Sequence, residues 1–128
     1  MSDRERHDAG MKVRRAVLGD AHVDRANKRK NAFSEEYQDL ITRYAWGEIW
    51  TRPGLDVRSR RLIVIATTIA LGRWEELRMH VRAAIADGGL SAAEVQEVVL
   101  QQAIYCGVPA AHHALREVAQ AIEDATSR

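Results

Sequence analysis

The chain has little of what builds covalent or cofactor-dependent chemistry. A single cysteine, Cys106, stands among 128 residues, which excludes an intrachain disulfide and a two-cysteine redox cycle and fits a reducing cytoplasm. No Gly-rich phosphate loop is present, and no His/Cys/Asp/Glu set has the spacing of a metal cage, so no metal and no organic cofactor is expected. The longest apolar run, Leu62 to Leu71, is about half of what a membrane span requires. Met1 to Gly10 is charged and lacks the apolar core of a signal peptide; it reads as a mobile leader. The formal net charge is only +1, which gives a nucleic-acid partner no electrostatic support. Lysine is scarce as well, 3 against 16 arginines, and arginine's planar fork suits carboxylates.

Strand alternation and internal repeats are missing too, and helical spacing fills the chain instead. Met11 to Leu18 predicts a first helix ended by Gly19, and Val23 to Lys30 a second, very polar one. Ser34 stands as an N-cap, followed by Tyr37, Leu40, Ile41 and Tyr44 at the spacing of one buried stripe. Gly47, Pro53 and Gly54 punctuate Trp46 to Gly54 as a loop. Asp56 opens a helix that runs to Leu71 with almost no polar face, the pattern of burial on all sides. Trp74 to Asp87 follows, stopped by Gly88-Gly89; Ser91-Ala92-Ala93-Glu94 is a capping box for the next helix; Gly107 and Pro109 open the last, to about Thr126. The reading is a single all-α domain over residues 1–128, a bundle of six to seven helices.

Two groups of residues bear on chemistry. Glu76 and His80 are four apart, so a helix stacks them on one face, where a carboxylate can fix the imidazole tautomer and support its protonated form. The same pattern is also that of a solvated surface pair. Their neighbours Leu77, Val81, Ala84 and Ile85 define an apolar stripe, and the pair lies at its margin, where a pocket lining belongs. The second group is Arg52, Arg58 and Arg60 around the Pro53-Gly54 turn. Cations in the first turns of a helix oppose its dipole, so an anion must compensate them, either a ligand or a salt-bridge partner. Trp50 and Tyr105 are candidates for a pocket wall. His112 and His113, adjacent on a helix and thus about 100° apart, are structural or interfacial rather than metal ligands.

Taken together, Gly47 to Leu55 (GEIWTRPGL), Arg58-Ser59-Arg60, Glu76 to Val81 (ELRMHV), Glu94 to Glu97 (EVQE) and Tyr105 to Ala110 (YCGVPA) resemble the gamma-carboxymuconolactone decarboxylase family over nearly the whole chain. The resemblance implies an all-α fold similar to the alkyl hydroperoxidase D-type proteins and a homo-oligomer, commonly a hexamer. In those peroxidase relatives a Cys-x-x-Cys precedes a histidine; here the cysteine positions fall on Arg73 and Glu76 and the histidine on His80. Thiol chemistry is therefore absent while a proton-handling position is kept. The implied activity is that of a carboxy-lyase of protocatechuate breakdown, a route of aromatic catabolism: cofactor-free loss of carbon dioxide from the dianionic gamma-carboxymuconolactone to give beta-ketoadipate enol-lactone. His80 is expected as general acid, Glu76 as its orienting partner, and Arg52 with Arg58 or Arg60 as carboxylate contacts. The rivals are a thiol peroxidase and a non-catalytic helical ligand-binding or assembly protein.

Overall fold

A computed structural model describes residues 2–127 of the chain. Two compact units divide it, one ending at Val57 and the other beginning at Arg58.

The first unit holds α1 (Asp3–Leu18), α2 (Asp20–Arg29), α3 (Glu35–Ile41) and a π-helix, Thr42–Ile49. Helix α1 starts eight residues before the expected Met11, and residues read as a leader form its first half. The cause is a capping box: the Ser2 hydroxyl accepts from the Glu5 amide at 3.1 Å and the Glu5 carboxylate accepts from the Ser2 amide at 3.3 Å, so two otherwise orphaned donors are satisfied. At its other end Gly19 takes φ 90°, a backbone conformation open to glycine, and links α1 to α2.

Of the segment expected as a loop, residues 50–54 are turns and irregular backbone, while residues 46–49 belong to the π-helix. Its wide turns are closed by bonds five residues back, such as the Trp50 amide to the Ala45 carbonyl at 2.9 Å, and π-helical turns are rare. Gly47 is there for proximity, not for a turn. A Cβ on Gly47 would collide with the Arg6 carbonyl of α1, and a Cβ on Gly10 with the Thr42 carbonyl and the Gly47 amide. Two facing glycines let α1 and the π-helix touch through their backbones. The Tyr37/Leu40/Tyr44 stripe, expected to be buried, lies on the surface at 62%, 46% and 44% exposure. Ser34 does stand at the N-cap of α3, but its hydroxyl accepts from the Asn31 amide at 3.0 Å rather than from the helix.

The second unit is α4 (Val57–Leu71), α5 (Trp74–Asp87), α6 (Ala92–Tyr105) and α7 (Val108–Thr126), close to the helices read from the sequence. Gly72 (φ 68°) separates α4 from α5, and left-handed Gly88 ends α5. The Ser91/Glu94 capping box opens α6. The core joins Ile65 and Ile69 of α4, Leu77, Val81 and Ala84 of α5, Val95 and Val99 of α6, and Ala111, Ala114, Val118 and Ala121 of α7. Alanine predominates on α7, which brings its backbone close to α5 and α6, while each fully buried isoleucine or leucine contributes roughly 1.5–3 kcal/mol. Helix α4 departs from the expected burial on all sides. Ile65, Thr68 and Ile69 are buried, but Ile63 and Leu71 are 51% and 61% exposed.

Candidate active site

Helix α5 places the first candidate pair. Glu75 and Glu76 fall in its first turn, where the dipole favours carboxylates, and one turn later comes His80. The two side chains differ sharply in environment: Glu76 is exposed, while His80 is only 8% exposed beside fully buried Leu77 and Val81. His80 is therefore a core-margin histidine and not half of a solvated surface pair. Its Nδ1 is buried.

Helix α4 presents the arginines. Arg58 Nη2 is ion-paired with Glu94 Oε2 of α6. The other oxygen of the same carboxylate accepts from the Ser91 amide at 3.0 Å in the capping box. One turn on, Arg61 is 1% exposed, and its Nη2 donates to Asp87 Oδ2 at 3.1 Å at the end of α5. Burial pushes the Arg61 guanidinium below its ordinary value, and Asp87 opposes that shift. Gly89 leaves the room for this: a Cβ there would stand 3.3 Å from Arg61 Nε. So the anions that cations at the start of α4 demanded are, for Arg58 and Arg61, carboxylates of the protein. Arg61 escaped the sequence reading, and its only signal was its place one turn after Arg58 in an arginine-rich stretch. Arg60 is half-buried.

The other candidates are scattered. Arg52 is exposed and Trp50 half-buried, the latter tilted 30° against Trp46 at 5.0 Å. Tyr105 is 79% exposed at the end of α6, beside Ile104 (81%) and Val108 (70%). His113 stacks on Trp74 at 4.0 Å and lies 3.5 Å from Glu117, which also receives Arg78 Nε at 2.6 Å. That places His113 in the α5–α7 contact, a structural position. Cys106 accepts from Gln102 Nε2 at 3.2 Å, and the same amide reaches the Ala66 carbonyl at 3.3 Å. Among the described residues no three His, Cys, Asp or Glu side chains are grouped as a metal site, and no helix is long and apolar enough to cross a membrane.

Comparison with known proteins places the chain among decarboxylases. The chain is 41% identical over 124 residues to a 4-carboxymuconolactone decarboxylase of Acinetobacter baylyi, covering 97% of this chain and 92% of that protein. It is 40% identical over 117 residues to a nitrosuccinic acid decarboxylase of Metarhizium robertsii, covering 91% and 81%. A 48-residue 4-carboxymuconolactone decarboxylase sequence of Pseudomonas putida matches at 58% identity over its full length and 38% of this chain. Residues 35–120 match the model of one family, a span that takes in the π-helix, both arginine ion pairs and His80, and on that match the chain belongs to the carboxymuconolactone decarboxylase family.

Proposed function

We propose that the protein decarboxylates 4-carboxymuconolactone, the gamma-carboxymuconolactone of protocatechuate breakdown, to beta-ketoadipate enol-lactone. The observation that carries the reading is full-length similarity to a decarboxylase of that name together with a buried histidine, His80, and no paired thiols.

The substrate is its own electron sink. As the C–C bond to the carboxylate breaks and carbon dioxide leaves, the electron pair moves through the conjugated double bond into the lactone carbonyl. The resulting dienolate then takes one proton on carbon. The protein has to hold two carboxylates, stabilise negative charge on the lactone oxygen and deliver that proton. His80 is the general acid of this reading and Glu76 its electrostatic support. Arg52, with Arg58 or Arg60, holds the carboxylates, and Trp50 and Tyr105 wall the pocket. No cofactor takes part.

The apolar side chains left on the surface, Tyr37, Leu40 and Tyr44 in one unit and Ile104, Tyr105 and Val108 in the other, support assembly into a homo-oligomer, a hexamer by likeness to the family. A free cysteine and the absence of a membrane-length helix among the described residues support a place in the cytoplasm.

A second substrate is favoured by one observation, the nearly equal identity to a nitrosuccinic acid decarboxylase. A nitro group beside the scissile carbon also accepts the electron pair, so the same acid-and-arginine set serves both. Turnover of each compound by the purified protein decides, followed as carbon dioxide release; carboxymuconolactone is expected to react with the higher kcat/KM. His80→Ala should lower kcat by about a hundredfold or more with helical signal retained, the scale of a lost general acid. A folded His80→Ala protein that turns over at the wild-type rate removes His80 from this role.

A further inference from the structure

We propose that α7 seats a second copy of this chain: its exposed stripe of Val108, His112, Leu115, Ala119 and Ile122 packs on the same stripe of the partner, about a two-fold axis near Leu115. The inference rests on the homo-oligomer reading above and names the surface that makes the contact. Three observations carry it. The first is spacing. Helix α7 has two apolar stripes, and one of them, Ala111, Ala114, Val118 and Ala121, is spent on the core of its own unit. The other five positions follow one another at intervals of four, three, four and three residues, which keeps them within an arc of about 80°. They stay outside: Val108 and Leu115 are 70% and 50% exposed, His112 and Ala119 are exposed and Ile122 is half-buried. A mean interval of about 3.5 residues is that of two helices packed along their length, each side chain of one seated between those of the other.

The second is charge. Helix α7 carries four charged residues, Arg116, Glu117, Glu123 and Asp124, and none of them falls on the stripe. The gap reaches back into α6, because Val98 to Leu115 contains no Asp, Glu, Lys or Arg. At the 29% of the whole chain, those 18 residues would carry about five. An isologous contact sets a surface against its own copy, so a charge near the axis meets its like; an uncharged stripe avoids that. The net charge of +1 adds little repulsion between whole copies. A lipid surface fits less well, since it calls for several cations along the edge of an apolar face, and the edge here has Arg116 beside Glu123.

The third is shape. A groove of about 370 Å³ runs between α6 and α7, lined by Ala92, Ala93 and Val99 of α6 and by Leu115, Ala119 and Ile122 of α7. The alanines leave room at its floor, and the larger aliphatic side chains wall it. Leu115 and the groove thus belong to one surface, so a projecting side chain and the hollow for its counterpart are presented together, as a two-fold contact requires.

The test is light scattering on the purified full chain at micromolar concentration, with circular dichroism to follow the helices. It compares the wild type, Leu115→Asp, Leu115→Lys, an equimolar mixture of these two, and Ala119→Glu. Ala119 is exposed, so glutamate there costs the fold little, and this variant decides the matter if the leucine variants do not fold. The wild type is expected as an oligomer and each variant at about half its mass or less. The mixture returns to the wild-type mass, because an acid and a base then face each other across the axis. A folded variant that keeps the wild-type mass overturns the proposal. Single variants that come apart while their mixture stays small overturn it as well, since Leu115 then faces some other surface. A monomeric wild type refutes the homo-oligomer reading and this proposal together, whereas an oligomer that Leu115→Asp and Ala119→Glu leave intact refutes this proposal alone.

Discussion

Removing Asp87 should destabilise the protein more than removing the arginine it pairs with. Arg61 is 1% exposed while the Asp87 side chain is 56% exposed, so the cost of the pair is concentrated on the cation. In Asp87→Ala the guanidinium stays buried, keeps its charge at neutral pH and loses its carboxylate. Exposed pairs contribute up to about 1 kcal/mol, and stripping one partner from a fully buried pair costs roughly 3–5 kcal/mol. With one partner in solvent the loss falls between these ranges, about 2 kcal/mol. An unfolding entropy of about 2.1 cal/mol/K per residue turns that into a fall of about 7 °C in melting temperature for a chain of this length. Arg61→Met keeps the aliphatic volume, discards the buried charge and leaves Asp87 in water, so it should stay within about 1 kcal/mol of the wild type. The assay is thermal melting followed by circular dichroism at matched protein concentration. If Arg61→Met melts below Asp87→Ala, the hydrogen bond and not the burial of charge carries the energy, and the reasoning is refuted.

Gly47→Ala should destabilise by about 1–3 kcal/mol, the usual cost of overpacking, because its Cβ meets the Arg6 backbone and no side chain can move aside; urea unfolding measures it, and an unchanged midpoint would show that α1 shifts freely. Cys106→Ser should keep kcat within a few-fold, since its thiol accepts from Gln102 and a hydroxyl accepts as well; a covalent adduct trapped on Cys106 during turnover contradicts this. Light scattering at micromolar concentration should show an oligomer, and a monomer would leave the exposed apolar side chains of both units unaccounted for.

The helices of the second unit were legible because their ends are marked chemically. Gly72, Gly88, the Ser91/Glu94 box and Gly107-Pro109 each impose a local backbone geometry, and local geometry is written in neighbouring residues. What stayed hidden depends on residues far apart in the chain. Gly47 reads as punctuation until Gly10 is known to face it. The Arg61–Asp87 pair spans 26 residues, and nothing within either helix distinguishes Arg61 from the arginines around it. Exposure of the Tyr37 stripe was equally out of reach, since helical spacing reports which side chains share a face and not what covers it. For the site, the position of His80 at the margin of the apolar stripe followed from the period of α5. The ion pair of Arg58 did not, because its partner Glu94 lies 36 residues on, in α6.

The backbone contact between α1 and the π-helix also gives the residues ahead of Met11 a part in the fold. Met11 is a second methionine, placed one residue after Gly10. Translation begun there would yield a product lacking the Ser2–Glu5 cap, the Arg6 carbonyl that abuts Gly47, and Gly10 itself. What remains of α1 would be two turns long, and the π-helix would lose the surface its glycine is shaped to meet. Residues 2–10, which look dispensable in the sequence, therefore contribute a cap and a backbone contact to the first unit, and trimming them should lower its stability.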